Sequence, residues 1–381
     1  MKKITLATLI GLVLTGCGGG GGDDSTAPQP PVETKPTIIE GTIDKVQGDN
    51  VTVNGRSYHV LNVKYADAVL SEGVATLQPK MVVQISETTK SGADVFLDPT
   101  LLGQISKIDD KAKTFVVNGV SLMFSGFNTE IKNNDWVMVS ALPMATDMGI
   151  GYNVLSVIKV EQEGLYGESE LEGVVANLTD TSFSLGPVTI SYDPSLIEDA
   201  QNLQDGDWVE VTGHMSDTVF IASEVEVDNY DDNAEFDNAE IEGVVTWINK
   251  GQTKFELNAR GQFTINNTTL FDDGTLNDLV VGKLVEVTVI DGIAKEIEFD
   301  NESNGSDSVW GEFEEDGRVT MIDGSMVTID TMQGEKTFYI DGMTHFEDGL
   351  KITTLMDQSV EVEGVIINGK KIAREIERED D

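Results

Sequence analysis

The chain has 381 residues, with 67 Asp and Glu against 25 Lys and Arg, and a formal net charge of −42. So acidic a chain repels phosphate backbones and anionic lipid surfaces, which excludes nucleic acid as a partner and electrostatic docking as a route to a membrane. With 39% hydrophobic and 24% charged residues, 38 Gly and only 9 Pro, it has the composition of a folded protein rather than of a disordered tail.

Lys2 and Lys3 precede an apolar run from Ile4 to Leu14, too short for a permanent membrane span and of the length of a signal-peptide core. The run ends in Leu14-Thr15-Gly16-Cys17, which resembles the lipobox of bacterial lipoproteins. That resemblance implies cleavage after residue 16, acylation of Cys17 and attachment to a membrane through lipid. An ordinary secretory signal with a chance cysteine is the alternative. Cys17 is the only cysteine, so the chain forms no internal disulfide. Two or three acyl chains, at about 0.8 kcal/mol per buried methylene, give stable anchoring where one is marginal. Gly18 stands where lipoproteins retained at the inner membrane typically carry Asp, so the resemblance implies the outer membrane, facing the periplasm or the cell surface. Residues 17–37 lack apolar periodicity, carry Pro28, Pro30, Pro31 and Pro36, and read as a flexible tether.

Beyond the tether the chain repeats itself. Glu40-Gly41-Thr42-Ile43, Leu102-Gly103-Gln104-Ile105, Glu172-Gly173-Val174-Val175, Glu242-Gly243-Val244-Val245 and Asp316-Gly317-Arg318-Val319 each open an alternating apolar stretch, with successive glycines 62, 70, 70 and 74 residues apart. Five modules are expected, over residues 38–101, 102–163, 170–229, 240–301 and 309–379. Their far ends agree as well, as in Ile221-Ala222-Ser223-Glu224-Val225-Glu226-Val227 and Ile293-Ala294-Lys295-Glu296-Ile297-Glu298-Phe299. Period-two runs such as Phe183-Ser184-Leu185 and Val327-Thr328-Ile329 predict half-buried strands. A fourth strand opens at Met81, Trp136, Trp208, Leu284 and Val360. Between the third and fourth strands, Pro194 to Leu203 and Gly349 to Met356 are expected to carry a short helix or loop. Three strands, a helix or loop and two strands is the order of an OB-like β-barrel, so the fold class is all-β, a tandem array of five such modules. Open sandwiches and SH3-like barrels share that order. Modules this small are marginal alone and should lean on their neighbours. Five in line would extend over roughly 140 Å.

Lipobox, tether and glycine-opened modules together resemble a bacterial lipoprotein family whose repeat is catalogued as a domain of unknown function. The resemblance covers residues 38 to 379; modules three to five match best, and the first lacks the closing Ile-Ala-x-Glu strand. It implies an exported, anchored, OB-like array and transfers no functional residue.

Motifs for chemistry are sparse. His59, His214 and His345 fall at non-equivalent places, and none has a second His or Cys at metal-ligand spacing. The sequence has no Gly-x-Ser-x-Gly elbow, His-Glu-x-x-His pair or phosphate-cradling Gly-Lys-Ser/Thr loop, so the expectation is a protein that is not an enzyme. Trp136, Trp208 and Trp247 read as barrel core, with a sugar-stacking platform as the alternative. Acids cluster between modules three and four, with Asp228, Asp231 and Asp232, and between four and five, with Asp300, Glu302 and Asn304. The second run reproduces the first half of a calcium loop, but its twelfth position is Gly311. Both read either as solvated hinges or as weak calcium ligands, no other cofactor being expected.

The sequence thus points to an outer-membrane lipoprotein presenting a non-catalytic array for binding or spacing in the cell envelope, its partner an envelope protein or polymer. A calcium-dependent adhesion or matrix protein is the alternative. An enzyme acting on a polymer through strand-end carboxylates is a third reading.

Overall fold

The structure is a computed structural model that describes residues 38–66, 68–89, 92–126, 128, 130–146, 149–161, 165–195, 202–230, 234–300 and 310–379. The signal segment, Cys17, the tether, Asp231, Asp232, Glu302 and Asn304 lie outside the described residues.

Strands dominate, as the period-two pattern requires. The first module comprises β1 (Ile38–Gln47), β2 (Asn50–Val53), β3 (Arg56–Tyr65), β4 (Ala68–Val69), β5 (Val82–Thr89) and β6 (Gly92–Leu97). The second has β7 (Leu101–Asp109), β8 (Thr114–Val117), β9 (Val120–Met123), β10 (Trp136–Thr146) and β11 (Gly149–Lys159). The third has β12 (Ser169–Ala176), β13 (Ser182–Leu185), β14 (Val188–Ser191), β15 (Trp208–Ser216) and β16 (Val219–Val227). The fourth has β17 (Asn238–Ile248), β18 (Lys254–Leu257), β19 (Gly261–Thr264), β20 (Leu270–Asp272), β21 (Leu284–Ile290) and β22 (Ile293–Phe299). The fifth has β23 (Gly311–Asp323), β24 (Met326–Thr331), β25 (Gly334–Tyr339), β26 (His345–Phe346), β27 (Ser359–Ile367) and β28 (Lys370–Arg378).

In modules one, three, four and five the long strands close a ring in the order first, second, third, fifth, fourth, first. In module one β1 pairs β2, β2 pairs β3, β3 runs parallel to β6, and β5 joins β6 back to β1. This is the OB-like order, with its one parallel contact between third and fifth strands. In module two no ladder joins β9 to β11 among the described residues. In modules one, four and five the ladder of the first strand to the second is broken by a register shift, at Ile43/Lys45 in β1, Val245/Trp247 in β17 and Val319/Met321 in β23. Such a bulge bends the strand and lets one sheet curl into a barrel. The short helix or loop expected over Gly349 to Met356 holds a single 3₁₀ turn, Ile352–Thr354; most of Pro194 to Leu203 lies outside the described residues.

The repeated opening glycine has a steric cause. A Cβ at Gly243 would stand 2.5 Å from both terminal atoms of Asn258. That Asn sits in the turn between second and third strands at φ 55° and donates to the Glu242 carbonyl at 3.3 Å. Gly41 meets Asn54 and Gly103 meets Asn118 in the same way.

The modules are not strung in a line, and the extended array of 140 Å is corrected here. β1 pairs in parallel with β17, so modules one and four share one sheet; β7 pairs antiparallel with β12, so modules two and three share another. Leu101, Phe115, Val139, Leu171, Phe183 and Phe220 belong to one apolar core spanning modules two and three. Leu102, Met138 and Val160 of module two pack into the core of module one. Module five closes onto this body through Trp247, Ala259, Trp310 and Val365. The physical reason is the one anticipated for single modules: each barrel buries too little surface alone, and its outward apolar residues find partners on other barrels.

Candidate functional site at the junction of the modules

Strand alternation sends one face of each strand into its barrel and the other outward. In β1, β12 and β17 the outward residue before the opening glycine is a glutamate, and the assembly brings all three, Glu40, Glu172 and Glu242, to one small cavity of about 30 Å³. Thr42, Asp98, Thr100, Trp208, Asn258 and Arg260 complete its polar lining. The same position in module two is Leu102, buried in apolar contacts, and in module five Asp316, exposed at the surface.

Arg260 is the hub. Its side chain is 6% exposed, and its guanidinium pairs with Glu40 at 3.2 Å and with Asp228. It lies over the Tyr230 ring, 4.4 Å from the centroid. The Tyr230 hydroxyl donates to Glu40 at 2.6 Å and accepts from Asn258 at 3.0 Å. Glu242 accepts from the Thr42 backbone at 2.6 Å and from its hydroxyl at 3.2 Å. Glu170 accepts a 2.5 Å hydrogen bond from Tyr65 of module one. Burial pushes the carboxyls of Glu40, Glu170 and Glu172 up, the Arg260 charge pulling back on Glu40 and Glu172. Burial, with Glu40 nearby, raises Asp98 to about 8. A comparable acid pair lies elsewhere on the module one to four contact, where burial and Glu240 raise Glu286 to about 9. There Arg56 holds the fully buried Glu240 at 2.6 Å.

A second buried guanidinium ties module five to module four. Arg374 pairs with Glu256 at 2.6 Å and with Asp341 at 3.3 Å, and its own carbonyl accepts from Gln262. Lys254 bridges Glu375, at 3.0 Å, and Glu347.

Several expected site residues fall elsewhere than the sequence suggested. Asp228 does not stand in an open hinge: it faces Arg260, and Asn229, Tyr230 and Phe236 around it are buried. The solvated-linker reading is corrected for Asp228 to Tyr230 and for Phe236, because the Tyr230 and Phe236 rings meet edge to face with centroids 4.8 Å apart and join the core of module four. Asp300 follows β22 and is half-buried. Trp208 and Trp247 are buried, but not inside their barrels as expected. Val209 and Val211 take the inner face of β15, leaving Trp208 outward against Arg260, 5.8 Å from its ring. Trp247 likewise lies in the seam with module five, and Trp136 packs on module one. His59 and His214 are exposed and His345 half-buried, in three separate modules. Arg260 carries no motif; its only sequence signal is the glutamate that recurs before Gly41, Gly173 and Gly243 and needs a counter-charge once buried.

Residues 172–226, 242–298 and 316–377 match the family described as Domain of unknown function (DUF5666). These are the third, fourth and fifth modules. No curated protein matches the chain. Among solved structures, Drosophila Unr CSD456 is 15% identical, covers 55% of this chain and 96% of its own, and superposes with a TM-score of only 0.14. That likeness is too distant to inform the site.

Proposed function

The chain carries three tandem copies of DUF5666, a domain of unknown function, in an all-β body of OB-like barrels, and from that footing we propose a lipid-anchored, non-catalytic protein of the outer membrane. It holds a rigid five-module body in the periplasm or at the cell surface and binds or spaces an envelope protein or polymer. The observation that carries this reading is the use made of buried charge. Arg260, Arg374, Glu40 and Glu256 are engaged in ties between modules, which fixes the relative positions of the outer surfaces. Fixed outer surfaces serve recognition because little ordering is left to be done on binding. Anchoring is supported by the Leu14-Thr15-Gly16-Cys17 match and outer-membrane placement by Gly18. Asp228, engaged by Arg260, supports this reading over a calcium-stiffened hinge between modules three and four.

The test is fractionation of cells expressing the wild type and Cys17→Ser. The wild type is expected with the outer membrane and labelled by a fatty-acid precursor, and the variant unlabelled and released or unprocessed. Equal labelling and equal sedimentation of the two would overturn the proposal.

A further inference from the structure

At the central cavity two carboxyl groups stand apart from the rest. Glu40 and Glu242 are satisfied by the donors described above. No described donor reaches the side chain of Glu172 or Asp98, although Glu172 is only 8% exposed and both line the cavity. Charge does not balance there either, with four carboxyls around the cavity and one guanidinium, Arg260, itself shared with Asp228. A buried carboxylate without donors costs several kcal/mol, so it takes up a proton or a cation.

We propose that Asp98 and Glu172 bind one hard divalent cation of the calcium class in this cavity, clasping the end of module one to the start of module three. Two carboxylates neutralise a divalent ion, and the available ligands are all oxygen. The cavity, at about 30 Å³, holds an ion with one or two waters. Calcium accepts the irregular oxygen sets that rigid strands present, whereas magnesium demands near-octahedral geometry. The groups facing the pair are Glu40, Glu170, Glu210, Asp228, Glu242 across the cavity, and the Arg260 guanidinium. Protons compete for the same oxygens, so affinity rises with pH. The site needs neither the lipid anchor nor any partner.

The test is calorimetric titration of calcium chloride into the full chain in detergent, at pH 6 and pH 8.5, with thermal melts beside it. One ion is expected per chain, with a dissociation constant on the order of 10⁻⁴ M at pH 8.5 and at least tenfold weaker binding at pH 6. About 5 mM calcium should raise the melting midpoint by about 3–5 °C over sodium chloride of equal ionic strength. Asp98→Asn and Glu172→Gln keep shape and remove charge, so both should fold, melt no lower than wild type in EDTA at pH 8.5, and lose the calcium shift. Glu314→Gln, in the group of exposed Glu314 and Asp316 with half-buried Glu361, should keep it. A calcium effect no larger than that of sodium, equal binding at both pH values, or a shift retained in both Asp98→Asn and Glu172→Gln or lost in Glu314→Gln would overturn the proposal.

Discussion

Arg260 and Glu40 stand 220 residues apart in the chain and 3.2 Å apart in space. Their pairing ties the fourth module to the first strand of the first, beside the parallel ladder in which Glu40 lies opposite Ile241. Removing one partner of a buried pair leaves an uncompensated charge, at a cost of about 3–5 kcal/mol. Arg260→Met is therefore expected to lower unfolding stability in urea by that amount, and Glu40→Gln added to it should restore part of the loss. A loss below about 1 kcal/mol in the single variant would show that the pair does not hold the modules together.

How much of this was legible beforehand depends on the range of the interaction. Period-two runs and turn glycines are local, so the strands, their order and the repeats could be read directly. Glu40, Glu172 and Glu242 were visible only as repeat markers, since outward positions on a lone barrel face water. Their burial depends on which barrel covers which, and nothing near Glu40 in sequence names Arg260. The tryptophans show the same limit. Alternation tells that Trp208 and Val209 face opposite ways, but large apolar residues sit equally well inside a barrel or in a seam between two.

Glycines in the fourth strand make a sharper prediction. Gly213 and Gly364 occupy register shifts in β15 and β27, where a Cβ would overlap the backbone carbonyl oxygens of Ile221 and Ile372. Backbone in a ladder cannot step aside as a side chain can. Gly213→Ala and Gly364→Ala should each destabilise by about 1–3 kcal/mol in denaturant titrations, whereas Gly311→Ala, whose nearest neighbour would be Ile366 Cδ1 at 3.5 Å, should be nearly neutral. Equal effects at the three sites would contradict the placement of the bulges.

The half-buried Asp98 and Glu286 predict an inverted pH profile. Asp98 at about 8 and Glu286 at about 9 hold protons in the folded chain that the unfolded chain, with carboxyls near their ordinary values, releases. The stability they contribute is complete below about pH 4 and lost as pH rises through 8 and 9, at up to about 1.4 kcal/mol per pH unit for each group. Melting midpoints in EDTA should therefore fall from pH 5 to pH 9, and Asp98→Asn should flatten that slope. A midpoint that rises over this interval would contradict the placement of the two acids in the contacts between modules.

The claim beneath all of these is that the barrels form one body rather than a string. Small-angle scattering of the chain made soluble by Cys17→Ser measures it directly. A compact chain of this length has a radius of gyration of about 21 Å, to which the tether adds a little, whereas five barrels in line give roughly 40 Å. A value in the low twenties that increases on Arg260→Met is the expected result. A value near 40 Å for the unsubstituted modules would contradict the shared sheets and the junction built on Arg260.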